Sequence, residues 1–93
     1  MMMIARHLLI HGHVQGVFYR NWMVATARDL GIGGWVRNRA DGTVEAIIEG
    51  PPEAVDQMLR SAHDGPSAAR VDRIIVQDAE PEDRTRFEKR PTF

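Results

Sequence analysis

The 93 residues, 43% apolar and 27% charged with a formal net charge of −1, have the make-up of one globular domain, residues 1–93, built on one core. Near neutrality gives no overall footprint for nucleic acid or an anionic membrane, so any anion site must be local. The absence of cysteine removes disulfides, thiolate nucleophiles and cysteine-held metal clusters. No apolar run approaches the ~20 residues of a bilayer span, and Arg6 and His7 interrupt the apolar opening before it resembles a secretory signal. A soluble cytoplasmic protein is the expectation.

Met3 to His11 is rich in Ile and Leu and reads as a first strand, ended by Gly12. Gly12 to Arg20, Gly-His-Val-Gln-Gly-Val-Phe-Tyr-Arg, joins it to a helix expected over Asn21 to Leu30. Trp22, Met23, Ala25, Ala27 and Leu30 form the apolar stripe of that helix, with Arg28 and Asp29 outside it. Gly31 stops it, and Gly33 and Gly34 release the chain into a short strand, Trp35 to Asn38. Asp41-Gly42 is the strongest hairpin signal and lies between that strand and Thr43 to Glu49, so the two should pair antiparallel.

Gly50-Pro51-Pro52 breaks the third strand and prepares a second helix, with Glu53 and Asp56 suited to its positive end. Val55, Met58, Leu59 and Ala62 supply its apolar face, and His63 to Pro66 end it. Val71, Ile74, Ile75 and Val76 make a fourth strand. Asp78 to Arg86, charged and containing Pro81, has the composition of an exposed loop, and Phe87 to Arg90 reads as an edge strand closed by Pro91. The order βαββαβ with a short extra C-terminal strand is the ferredoxin-like α+β sandwich, a mostly antiparallel sheet with two helices on one face.

The segment Gly12 to Arg20 has the features of an anion cradle. A glycine-bearing turn entering a helix aims unpaired N–H groups at one point, and the helix's positive end favours negative charge there. Arg20 adds a planar fork matched to phosphate or carboxylate oxygens. There is no Gly-Lys-Ser/Thr and no three-glycine dinucleotide fingerprint. Taken alone, the loop fits a phosphate site and a plain turn equally well. Asn38, at the end of the second strand, has no useful basicity but can accept a hydrogen bond from water and donate one to phosphate; an ordinary turn-starting role is its alternative.

Gly12-His13-Val14-Gln15-Gly16-Val17-Phe18-Tyr19-Arg20, with Leu30-Gly31-Ile32-Gly33-Gly34-Trp35-Val36-Arg37-Asn38 and Asp41-Gly42-Thr43-Val44-Glu45, resembles the acylphosphatase family, and the similarity runs on through Gly65-Pro66 and from Val71 to Phe87. The resemblance implies a hydrolase of carboxyl phosphates with a ferredoxin-like fold that needs neither metal nor cofactor. By the same resemblance Arg20 binds phosphate and is catalytic, Asn38 positions the attacking water, and the backbone of Gln15, Gly16, Val17, Phe18, Tyr19 and Arg20 cradles the phosphoryl group. The implied partners are a small-molecule acyl phosphate and product phosphate, with no nucleic acid or membrane, and a monomer is expected. Three residues depart from the family pattern: Tyr19, whose hydroxyl needs a partner if buried, Arg39 after Asn38, and Lys89 in a final strand that is commonly more apolar.

His7, His11 and His13 weakly suggest a metal site. A strand advances ~6.6 Å every two residues, which sets His7 and His11 too far apart to share one ion. His13 is expected near the loop, where it would tune anion affinity. Trp22 and Trp35 read as core or rim residues, and Arg84, Arg86, Lys89 and Arg90 as a solvated edge. A non-enzymatic module binding an anion or RNA is the competing reading, weakened by the lack of an aromatic-rich central strand. A further alternative is an acylphosphatase-like domain within a larger maturation enzyme, weakened by the lack of cysteine-rich zinc segments.

Overall fold

The computed structural model describes residues 2–93, in the order β1 (Ile4–His13), α1 (Tyr19–Asp29), β2 (Gly33–Asn38), β3 (Val44–Gly50), α2 (Pro52–Asp64), β4 (Arg70–Ala79) and β5 (Phe87–Lys89). The five strands form one sheet in the order β4-β1-β3-β2-β5, antiparallel throughout except for the β2–β5 pair. This is the ferredoxin-like α+β arrangement expected from the sequence.

Alternation along the strands places the core. Leu8 and Ile10 of β1, Val36 of β2 and Val44, Ala46 and Ile48 of β3 share one cluster with Met23 and Ala27 of α1 and with Val55, Met58 and Ala62 of α2. Both helices therefore cover the same face of the sheet. In α1 the apolar stripe is headed by Tyr19, at the spacing Tyr19, Met23, Ala27, while Ala25 is exposed. α2 follows expectation more closely: Pro52 opens it, and Gly65, at φ 64°, ends it with an N–H donated to Ser61 O at 3.0 Å.

Four boundaries differ from the sequence reading by two residues or more, each for a physical reason. β1 continues through Gly12 to His13 because a register shift between His11 and Gly12 absorbs the glycine as a bulge. A Cβ at Gly12 would lie 2.1 Å from Arg70 O, so the close approach of β4 requires glycine there. α1 begins at Tyr19 rather than Asn21, because Phe18 itself takes the helix-entry position in a left-handed conformation. β2 includes Gly33 and Gly34; a Cβ at Gly34 would sit 1.8 Å from Ile47 O. β4 extends to Ala79, so Asp78 and Ala79 pair with β1 instead of belonging to the loop.

β3 is central and buried on both faces. Its sheet face away from the helices carries Glu45 and Glu49, each compensated. Glu45 accepts from Arg37 Nε at 2.7 Å and lies 2.7 Å from His7 Nε2. Glu49 accepts from Arg84 Nη1 at 2.7 Å and from the backbone N–H groups of Glu82 and Arg84. The charged loop is thereby fastened to the sheet at Arg84 and does not hang free.

Candidate active site

The loop between β1 and α1 is short, Val14 to Phe18, and its conformation turns N–H groups one way. Gly16 has φ 73° and Phe18 φ 66°, with Val17 between them outside the positive-φ region. Alternation of this kind directs successive N–H groups to one side, as in anion-binding nests. Among the described residues, no backbone N–H from Gln15 to Arg20 donates to a backbone acceptor, and α1 has no side-chain cap. The left-handed backbone at Phe18 is costly for a residue with a Cβ, on the order of 1 kcal/mol or more, and the residue is 77% exposed. Packing of so exposed a side chain does not account for that conformation.

Each side chain of the loop has a separate task. Gln15 donates both amide hydrogens across to the hairpin, to Arg39 O at 2.8 Å and Thr43 O at 2.9 Å, and so locks the loop to the segment following Asn38. Val17 is buried. Tyr19 is buried too, and its hydroxyl donates to Ala62 O at 2.6 Å, which supplies the partner its burial requires. Burial pushes that hydroxyl well above the ordinary phenol range, so it stays a donor.

Asn38 reaches the loop from the end of β2. Its backbone is held on both edges, by the register with Val44 and by Phe93 N–H, which donates to Asn38 O at 3.0 Å. The five residues Arg39 to Thr43 that follow are closed by Arg39 N–H to Thr43 O and by Asp41, whose carboxylate accepts from the Thr43 hydroxyl at 2.6 Å and from its N–H at 3.0 Å. Those bonds hold the Asp41 carboxyl below its ordinary pKa. Glycine at φ 92° in position 42 completes an Asx turn in place of a two-residue hairpin.

Loop, helix and strand end enclose a cleft of about 270 Å³ lined by Val14, Gly16, Phe18, Tyr19, Arg20, Asn21, Asn38 and Lys89. A larger cleft of about 510 Å³, between Arg28, Ile32 and Phe87, contains none of the residues expected to bind phosphate or position water. Asn38 Oδ1 is buried and has no protein partner. Two other buried side-chain atoms make no hydrogen bond, His11 Nε2 and Arg39 Nε, the latter 3.5 Å from Asp41 Oδ2, and neither residue lines this cleft. Arg20 forms no ion pair among the described residues, and the cleft wall contains no carboxylate. The site can therefore hold a compact anion beside an amide oxygen that lacks a hydrogen to accept.

Of the residues expected at the site, Gly16, Phe18, Tyr19, Arg20 and Asn38 line the cleft, whereas Gln15 and Val17 lie behind it. His13 is exposed and outside the lining, and His7 is engaged with Glu45. No three His, Asp or Glu side chains converge as a metal site among the described residues. Arg86, Lys89 and Arg90 are exposed as a solvated edge requires, with Arg90 over Trp35 at 4.9 Å, whereas Arg84 is half-buried and pairs with Glu49. Val14, Asn21 and Lys89 line the cleft without having been expected there; of these only Lys89 carried a signal, a lysine where the final strand should be apolar.

The acylphosphatase family model matches residues 6–89. An acylphosphatase of Acidovorax sp. is 55% identical over 89 residues, covering 96% of this chain and 92% of its own, and one of Acidiphilium cryptum is 51% identical over 90 residues, covering 97% and 99%. The crystal structure of acylphosphatase from Bacillus subtilis superposes with a TM-score of 0.90 at 31% identity, covering 95% of this chain and 98% of that one. The chain belongs to the acylphosphatase family. Its reaction class is accordingly hydrolysis of acyl phosphates, and no helix among the described residues is long and apolar enough to cross a membrane.

Proposed function

We propose that the cleft binds the phosphoryl group of a small acyl phosphate through Arg20 and the Gln15 to Arg20 backbone, and that Asn38 orients the water that attacks phosphorus. The observation that carries this reading is a cleft that brings Asn38, whose buried Oδ1 makes no hydrogen bond, together with Arg20 and no acid. The water oxygen forms a bond to phosphorus as the bond to the acyl oxygen breaks. The carboxylate leaves with the bonding pair, and a proton of the water passes to a phosphoryl oxygen or to solvent.

So sparse a site suffices because the leaving group is already good. A carboxylate's conjugate acid has a pKa of about 4, so departure needs no general acid, and a loose phosphoryl-transfer transition state asks mainly for positioning and charge stabilisation. Arg20 and the loop amides supply the charge; Asn38 supplies position. Since these groups meet both needs, the reaction is proposed to require no metal. The protein is read as a cytoplasmic monomer on its composition.

Release of phosphate from benzoyl phosphate, with and without a chelator, tests the reading in wild type and Arg20→Ala. Chelator-resistant turnover that falls about a thousandfold in the variant is expected. Absence of hydrolysis by folded wild type, or near-native turnover by Arg20→Ala, would overturn it.

A further inference from the structure

We infer that Lys89 is a second anion contact of the cleft, supplying the charge that matches the site to a dianionic phosphoryl group. The inference rests on the reading of this cleft as the phosphate site. Lys89 stands opposite Val36 in the parallel β2–β5 register and lines the cleft together with Asn38 and Arg20. Its Nζ donates to Asn21 Oδ1 at 3.0 Å, on the residue that follows Arg20.

Lys89 is exposed, and it is its place in the cleft that distinguishes it from other surface charges. Arg6, Arg37, Arg39, Arg70 and Arg84 each have a carboxylate within ion-pair distance. Among the described cations without one, which include Arg28, Arg60, Arg73, Arg86 and Arg90, Lys89 and Arg20 are those that line this cleft. The only partner of Lys89 there is a neutral amide. A carboxylate at position 21 would hold the ammonium; an exposed amide releases it at little cost.

Charge matching gives the reason for a second cation. A phosphoryl group of this kind carries about −1.5 to −2 near neutral pH. Arg20 offers one positive charge and the α1 N-terminus about half of one, which leaves up to about half a charge of the full dianion unmatched, and the Lys89 ammonium more than covers it. Lysine suits the role as a point charge on a flexible stem, able to move from Asn21 to a phosphoryl oxygen while Arg20 retains the planar contact.

Binding of inorganic phosphate at pH 7 and low salt, measured by calorimetry, tests the inference with wild type, Lys89→Gln, Lys89→Arg, Asn21→Ala and Arg20→Ala. Lys89→Gln keeps a donor for Asn21 but loses the charge, and is expected to weaken phosphate about fivefold, with the difference shrinking at about 0.5 M salt. Lys89→Arg should bind as wild type does, and Asn21→Ala no more weakly. Wild-type affinity in Lys89→Gln, or an equal loss in Asn21→Ala, would show that Lys89 merely fastens β5 to α1. If Arg20→Ala also binds phosphate like wild type, the cleft reading itself fails; if only Arg20→Ala weakens binding, the inference about Lys89 alone falls.

Discussion

Tyr19 shows how one residue serves loop and core together. Its backbone lies at the first position of α1, while its side chain is buried beside Trp22 and bonded to the last turn of α2 through Ala62 O. The sequence reading recognised that this hydroxyl needs a partner, but the partner lies 43 positions away and only the tertiary fold identifies it. Tyr19→Phe should leave a buried carbonyl unpaired and cost about 1–2 kcal/mol of stability by urea unfolding. Turnover should stay within about twofold, because the ring and backbone remain in place. Arg20 and Asn38 were named as site residues for another reason: the motifs around them resemble those of a known family, where side-chain chemistry alone left an ordinary turn as the alternative. Lys89 was not, since its meaning depends on the parallel β2–β5 pairing, which no local pattern encodes.

Among the elements, β1 and its exit carry most of the proposed phosphate site. The strand's extension through a bulge shortens the following loop and sets its direction into α1. Apolar patterning located both helices and the first four strands, because burial on one face leaves a period of two or 3.6 in the chain; the fifth was read from its place between the charged loop and Pro91. It could not locate the ends of β1, β2 and β4, where glycines are held by neighbouring backbone and polar residues pair at an edge. Gly12→Ala combines a φ of 136° with a collision against Arg70 O and Asp72 N. It should destabilise the protein by about 3 kcal/mol in urea titration and weaken phosphate binding as the loop shifts.

The molecule as a whole is a sheet whose second face is sealed by ion pairs instead of helices. Buried Glu49 is the clearest case. Desolvation opposes its charge, but the Glu82 and Arg84 N–H groups and the Arg84 guanidinium outweigh it and hold its carboxyl below the ordinary 4.5. Glu45 is depressed in the same way against its own burial, by His7 and Arg37. In the unfolded chain these groups bind protons at higher pH than in the folded one, so stability rises with pH across that window. Their contribution is complete above about pH 5.5 and is lost as pH falls through 4.5 toward the folded values. Glu49→Gln should lose roughly 3 kcal/mol at pH 7 and show a shallower decline on acidification, read as urea midpoints between about pH 6 and 3. This pairing was only half legible: the hairpin register brings Arg37 to Glu45, but Arg84 reaches Glu49 from a loop with no periodicity.

The central claim is that Asn38 acts on the water and Arg20 on the phosphate, and kinetics of Asn38→Ala beside phosphate affinity of the same variant address it directly. The account predicts a turnover number lower by about two orders of magnitude, with phosphate binding changed by less than about twofold. Near-native turnover in the folded variant, or a loss of phosphate binding as large as the loss of turnover, would contradict it.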